Sequence, residues 1–266
     1  MKVYFIGAGP GDPELITVKA QRRIRECGLV LYAGSLVPPP VLEDVAPDAE
    51  VINTATLSQE PIIEHMRRAH EQGIDVARVH SGDPSIYGAV GEQIRRLREL
   101  GIDYEIIPGV TAASAAAAEI GCELTLPDVA QTVIMTRYAG KTSMPDGEAL
   151  SDLARHGATL VIHLGVTRLH HIVEDLRPHY GGDCPVAVLC RVGWEDGDRV
   201  EGTLDTIVER VRAKGFTRTT IILVGRVLAM DGFSDSFLYR ADKAHYYRPR
   251  GRTGAARGAA RLPGNE

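Results

Sequence analysis

The stretch VYFIGAGPGDPELIT, Val3 to Thr17, constrains the fold more than any other part of the chain. Val3 to Ile6 is a short apolar run, the pattern of a buried strand. Gly7, Gly9 and Gly11 follow, interleaved with Ala8 and Pro10. Asp12, Pro13 and Glu14 then read as a helix start: an Asp N-cap, a proline in the first helical position and an acid in the first turn. A strand that passes through three glycines into a helix offers bare backbone to a ligand, although an ordinary tight βα turn has the same local pattern.

Two common nucleotide sites can be tested against this loop. The dinucleotide fingerprint needs glycine at the first, third and sixth positions, and counting from Gly7 the sixth is Asp12. It also needs an acid at the end of the second strand, yet the strand expected at Leu29 to Tyr32 runs into Ala33 and Gly34. A phosphate-cradling P-loop would end in Gly-Lys-Ser/Thr, which is missing. Asp12 at the mouth would repel a pyrophosphate. The loop therefore suits a ligand that is not polyanionic.

Strand and helix signals alternate from here on, which favours α/β layering with mostly parallel strands. Helices are expected at Thr17 to Cys27, Glu60 to Gln72 (capped by Ser58, stopped by Gly73) and Val90 to Leu100. Strands are expected at Asp75 to His80 and Tyr104 to Ile107. Two more small-residue loops follow those strands, HSGDPSIYG and PGVTAASAAAAEIG. In an open parallel sheet such loops converge at the carboxyl edge, where ligands bind. The segment CELTLPDVA (122–130) reads as a bridge, after which alternation restarts. Strands are expected at Thr132 to Thr136, Thr159 to Leu164, Val186 to Cys190, Arg199 to Leu204 (antiparallel, lacking a long crossover) and Thr220 to Val224. Helices fall between them at Ala149 to His156, Arg168 to Leu176 and Asp205 to Lys214. We expect two α/β domains, 1–121 and 122–240, and a disordered basic tail over 241–266, where Gly, Ala, Pro and Arg cannot bury a core.

Composition narrows the function class. The 266 residues are 44% hydrophobic, enough for one large or two modest domains. No run approaches a membrane span and no signal-peptide layout opens the chain, so a cytoplasmic location and no membrane partner are expected. A net charge of −5 argues against general nucleic-acid binding. Cys27, Cys122, Cys184 and Cys190 lack CxxC spacing and read as buried reduced thiols, and the nine histidines give no metal template.

Taken together, GAGPGDPELIT, SGDPSIYG, PGVTAASAAAA and a later GRVL resemble the tetrapyrrole methylases, the S-adenosylmethionine-dependent enzymes of cobalamin and sirohaem biosynthesis. The resemblance runs in order to about Leu228 and implies two α/β domains of the tetrapyrrole methylase type with the active site in the cleft between them. YAGSLVP (32–38) and LTLPDVAQTVIMTR (124–137) resemble the branch that methylates precorrin-4, or its cobalt form, at carbon 11 of the macrocycle. A sulfonium cofactor without phosphates agrees with a glycine loop that carries Asp12 and no lysine.

Carried over residue by residue, the family's cofactor contacts fall on Pro10, Ser81, Gly82, Asp83, Ile86, Thr111, Ala112, Leu164, Val192, Thr219 and Thr220, many of them through backbone groups. Asp83 also reads as a turn residue before Pro84, and Thr111 as a helix cap. S-adenosylhomocysteine is the implied product, a precorrin macrocycle the substrate and a homodimer the assembly. A polycarboxylate substrate calls for cations, and Arg137, Lys141, Arg168, His170, His171 and Arg191 stand near expected strand ends. Tyr32, Ser35 and Tyr87 are candidates for the ring edge. No catalytic nucleophile or base and no metal ligand is assigned. Competing classes are a nicotinamide oxidoreductase, which lacks its fingerprint here, a non-catalytic tetrapyrrole- or nucleotide-binding regulator, and methylation at a neighbouring ring position.

Overall fold

The computed structural model describes residues 1–140, 142–236 and 240. The expected disordered tail lies outside the described residues. Two five-stranded sheets carry the described chain.

In the first sheet, β1 (Val3–Gly7), β2 (Leu29–Tyr32), β3 (Glu50–Asn53), β4 (Val76–His80) and β5 (Tyr104–Ile107) lie in the order β3-β2-β4-β1-β5, all parallel. β1 and β4 are buried along their whole length because helices cover both faces. Tyr4, Ile6, Ala77 and Val79 pack on α1 (Val18–Glu26) through Ala20 and Ile24. Val3, Phe5, Leu31 and Val76 turn the other way, onto α2 (Gln59–Glu71) and α3 (Val90–Glu99), through Ile62, Met66 and Leu97. Each fully buried aliphatic side chain of this kind contributes about 1.5–3 kcal/mol.

The second sheet contains β6 (Val133–Arg137), β7 (Thr159–His163), β8 (Pro185–Cys190), β9 (Asp198–Thr203) and β10 (Thr220–Val224), in the order β6-β7-β10-β8-β9. Only β6 and β7 are parallel; β10 runs antiparallel to both β7 and β8, and β9 is antiparallel to β8. The antiparallel β9 agrees with the expectation, but the mostly parallel sheet holds for the first half alone. The reason is topological. Helices α6 (Leu169–Tyr180) and α7 (Ile207–Lys214) do join strands of like direction, yet another strand sits between the members of each pair. Alternation along the chain reports crossovers and is blind to such insertion.

Other differences have local causes. β3 was not expected, because as an edge strand with mostly exposed residues it has no apolar run. Asp12 caps only a short 3-10 turn, Pro13–Leu15, and helix α1 starts afresh where Thr17 Oγ1 accepts from the Ala20 amide at 3.2 Å. The expected Ser58 cap has the right position but makes no side-chain cap bond. α6 runs past Pro178 to Tyr180, whose buried hydroxyl donates to the Ala158 carbonyl.

One packing relation matters most for the site. Helix α4 (Ala112–Glu119), which follows β5, places Ala113, Ala115 and Ala116 on the face of the second sheet formed by Val161, Ala187, Leu189, Ile221 and Leu223. Alanines let the helix approach that face closely. On the opposite face, α5 (Leu150–Leu153), α6 and α7 bury Leu150, Ile172, Leu176 and Ile207. Cys27 and Cys184 are buried, Cys122 and Cys190 half-buried, and all four are free thiols. Among the described residues no helix is long and apolar enough to cross a membrane.

Candidate active site

The loops after β1, β4 and β5 are held against each other by backbone. The Gly9 amide donates to the Gly82 carbonyl at 3.3 Å and the Gly82 amide returns a bond to Gly9 at 2.7 Å. Gly7 and Gly109 pack so closely that a Cβ on Gly109 would stand 2.2 Å from the Gly82 carbonyl oxygen. Only a residue without a side chain fits there.

Asp83 fastens the second loop to the third. Its Oδ1 accepts from the Ser85 amide at 2.8 Å and from the Ser85 hydroxyl, and its Oδ2 accepts from the Gly109 amide at 3.0 Å. Burial pushes this carboxyl up, but the bonds from Ser85 and Gly109 together outweigh it and hold the group below the usual carboxylate value. Thr111 does cap α4, its Oγ1 accepting from the Ser114 amide at 3.3 Å.

These loops form one wall of a cavity of about 490 Å³, within the ~300–1,000 Å³ typical of small-molecule sites. Pro10, the Ser81-Gly82-Asp83 turn, Ile86, Thr111 and Ala112 line it from the first-sheet side. Leu164 after β7, Val192 after β8, and Thr219 and Thr220 at the start of β10 line it from the second. All eleven positions carried over as cofactor contacts thus share one cavity, although they come from six separate stretches of chain. The antiparallel β10 makes this possible, since it brings its amino end to the edge where β7 and β8 have their carboxyl ends.

The backbone there is under strain. Tyr87, Leu164 and Thr219 adopt left-handed φ values of 55°, 55° and 51°. For residues with a Cβ such conformations cost about 1–3 kcal/mol each, and they persist where the surroundings over-determine them. Leu164 remains 72% exposed, an apolar side chain left available at the cavity rim.

Two contacts join the halves around the cavity. Trp194 donates from Nε1 to the Pro10 carbonyl at 3.1 Å, and its ring lies over Gly11 so closely that a Cβ there would meet Cδ1 at 2.2 Å. Tyr87 meets His163 with ring centroids 5.1 Å apart and planes tilted by 53°. Trp194→Ala is expected to cost about 1–3 kcal/mol of stability, through a lost hydrogen bond and lost ring packing. The melting temperature reads the stability, and calorimetry should show cofactor affinity falling with it; an unchanged value for both would mean that the clasp contributes nothing.

The candidates for substrate contacts are less concentrated. Tyr87 lines the cavity. Tyr32 ends β2 half-buried and Ser35 is exposed in the loop beyond it, with neither on the cavity wall. Arg137 donates to the Tyr138, Thr142 and Ser143 carbonyls, so it ties down its own loop. Arg191 pairs with Asp196 and stands over the Trp194 ring at 5.5 Å. Arg168 and His170 are exposed at the start of α6, where the His170 and His171 rings lie 3.7 Å apart. Lys141 lies outside the described residues.

Six polar residues on the cavity were not singled out from sequence: Thr167, Thr217 and Arg218 outside the strands, and Arg78, His80 and His163. The last three lie within or at the end of strands, where the apolar pattern hides them. His80 and His163 each leave a buried Nε2 without a partner, and burial pushes both imidazoles down, His80 to about 3. The available signal was a charged residue inside an otherwise apolar strand, the Arg78 of VARVH.

Comparison with known proteins gives a consistent result. The sequence model of the family described as Tetrapyrrole (Corrin/Porphyrin) Methylases matches residues 2–208. A precorrin-4 C(11)-methyltransferase of Pseudomonas aeruginosa is 64% identical over 249 residues, 94% of this chain and 99% of that protein. The X-ray structure of a cobalamin biosynthetic enzyme, a cobalt precorrin-4 methyltransferase, superposes with a TM-score of 0.83 at 41% identity, covering 85% of this chain and 95% of that one. A uroporphyrin-III C-methyltransferase of Thermus thermophilus, solved in complex with S-adenosylhomocysteine, gives a TM-score of 0.71 at 29% identity, over 87% and 100% of the two chains.

Proposed function

The chain belongs to the tetrapyrrole methylase family, and on that premise we propose that it transfers a methyl group from S-adenosylmethionine to carbon 11 of precorrin-4, giving precorrin-5 in cobalamin biosynthesis. The observation that carries this reading is the convergence of all eleven expected cofactor positions on one cavity between the two sheets, in a chain 64% identical to a precorrin-4 C(11)-methyltransferase. In this reading residues 1–121 form the cofactor half and residues 122–240 add further cofactor and substrate contacts. A homodimer working in the cytoplasm completes it, and sedimentation equilibrium tests the dimer.

The lining fits such a cofactor. Its charged residues are Arg78, Asp83 and Arg218, with no lysine and no phosphate cradle, and much of the wall is backbone, Leu, Ile and Val. Bound there, S-adenosylmethionine supplies an electrophilic methyl on a sulfonium cation. The chain's own work is positioning. The three glycine loops present backbone amides and carbonyls that orient the cofactor, and Ile86, Leu164 and Val192 shield the reacting centre from water. Holding carbon, methyl and sulfur in line is worth up to about 7–11 kcal/mol in favourable cases. An apolar wall adds to this, because positive charge disperses as the methyl moves.

Purified protein given S-adenosylmethionine and precorrin-4 made in situ should yield a singly methylated product, with carbon NMR placing the methyl on carbon 11. Methylation elsewhere on the ring, or none, would end the assignment. The similarity to a cobalt precorrin-4 methyltransferase favours one second reading, in which the ring already carries cobalt; parallel assays with and without the metal separate the two. S-adenosylhomocysteine should also raise the melting temperature, whereas NAD should not.

A further inference from the structure

Arg78 sits inside β4 with 5% of its surface exposed. Its guanidinium has neutral partners only: Nε donates to Gln93 Oε1 at 3.3 Å, and Nη1 to the Leu31 carbonyl at 3.3 Å and Thr54 Oγ1 at 3.0 Å. Nη2 makes no hydrogen bond, and among the described residues no carboxylate pairs with the group. Gln93 and Thr54 are themselves buried, and Gln93 is held by the Ala89 carbonyl at 3.3 Å, so the guanidinium is fixed in place. A buried cation served by neutral acceptors alone bears much of its desolvation cost uncompensated, and burial pushes this arginine down to about 10.

His80 lies two residues along and therefore on the same face of the sheet. It is 5% exposed, packs 6.0 Å from the Phe5 ring, and leaves Nε2 buried without a partner. Burial and then the Arg78 charge hold it neutral. Both residues line the same cavity as the loops described above. Of the cations expected from sequence to meet an acidic ligand, Arg137 is engaged with loop carbonyls and Arg191 with Asp196, while Arg168 is exposed and off the cavity wall. Arg78 is the cavity arginine that is both buried and short of an anion.

We propose that Arg78 and His80 form a carboxylate-binding subsite of this cavity, the guanidinium fork supplying the charge and the imidazole a second polar contact. A ligand carboxylate suits a guanidinium because the two planar groups match in geometry and charge, and it would offset the cost of the buried cation. The inference rests on the methyltransferase reading, which brings two carriers of that chemistry: the amino-acid end of the cofactor and the side arms of the macrocycle.

The test compares wild type with Arg78→Gln and Arg78→Lys, using calorimetry with S-adenosylhomocysteine and with 5′-methylthioadenosine, which lacks the amino-acid carboxylate, and KM for precorrin-4 made in situ. If the cofactor supplies the group, Arg78→Gln should bind S-adenosylhomocysteine at least tenfold more weakly and methylthioadenosine within twofold of wild type, with Arg78→Lys between. If the macrocycle supplies it, S-adenosylhomocysteine affinity should hold and KM for precorrin-4 should rise at least tenfold. Should the variants not fold, nitrogen NMR of the wild-type protein serves instead: the His80 and Arg78 side-chain resonances should shift with a carboxylate-bearing ligand and not with methylthioadenosine. A folded Arg78→Gln protein with every affinity unchanged, or resonances that ignore the carboxylate, would overturn the subsite and leave the methyltransferase standing. Wild-type protein that bound no S-adenosylhomocysteine would remove that reading and the subsite with it.

Discussion

Gly109→Ala is expected to damage the protein more than any other single methyl addition considered. The new Cβ would stand 2.2 Å from the Gly82 carbonyl oxygen and 2.8 Å from the Gly7 backbone. All of these atoms are main chain, so no side chain can swing aside. Relief requires prising apart the loops after β1, β4 and β5, and the cost belongs at the upper end of the over-packing range, about 3 kcal/mol. At about 2–4 °C per kcal/mol the melting temperature should fall by about 6–12 °C. Cofactor affinity should fall with it, because the same loops line the cavity. Gly91→Ala is the control. It lies in α3 with nothing within 4 Å of the added Cβ, so the change should stabilise by about 0.5–1 kcal/mol. Equal melting temperatures for the two variants would show that the close approach of the three loops is not a constraint.

Asp83→Ala should weaken S-adenosylhomocysteine binding by about tenfold or more, roughly 1.4 kcal/mol. The structure refines the reason. Asp83 gathers the Ser85 amide and hydroxyl with one oxygen and the Gly109 amide with the other, so its loss frees the second loop from the third. A direct contact to the cofactor is not needed for the effect. The carboxylate also makes a prediction about acid. Its folded-state value is depressed, so its contribution is present above the unfolded value and is lost as pH falls through the folded one. The stability gap between wild type and Asp83→Asn should therefore be constant near neutrality and shrink below about pH 4, where an ordinary aspartate begins to protonate. Affinity unchanged in a folded Asp83→Ala protein would remove the residue from the site; a gap that widened on acidification would mean that the bonding pattern at Asp83 is wrong.

Most of the fold was legible because local physics and tertiary structure agree. The apolar runs that become β1, β4 and β10 are strands on any α/β scaffold, and the breaks at Gly73 and Gly215 both fall at left-handed φ, where glycine has no Cβ to clash. The errors cluster where a residue's neighbours in space decide its role. β3 is an edge with little apolar content, and the order of the second sheet depends on which strand is seated between which. Standing near a strand end does not leave a cation free for substrate: Arg137 turns onto its own loop and Arg191 onto Asp196.

The sequence by itself determined the type of ligand loop, because the glycine spacing, the missing Gly-Lys-Ser/Thr ending and the Asp12 charge argue against pyrophosphate sites without reference to a fold. Through resemblance it also determined the family and the eleven positions that come together. Only the tertiary structure decided why they meet and what else joins them. β10 is inserted antiparallel, so that Thr219 and Thr220 open toward the loops of the first sheet, and α4 lays its alanines on the second sheet to hold the third glycine loop at the junction. That Arg78 and His80 are buried together on the cavity is also seen only there, the sequence marking Arg78 no further than as a charge in an apolar strand. Within a strand, a charged residue and an apolar one share the same backbone pattern, and whether a buried guanidinium has met its anion depends on residues distant in sequence.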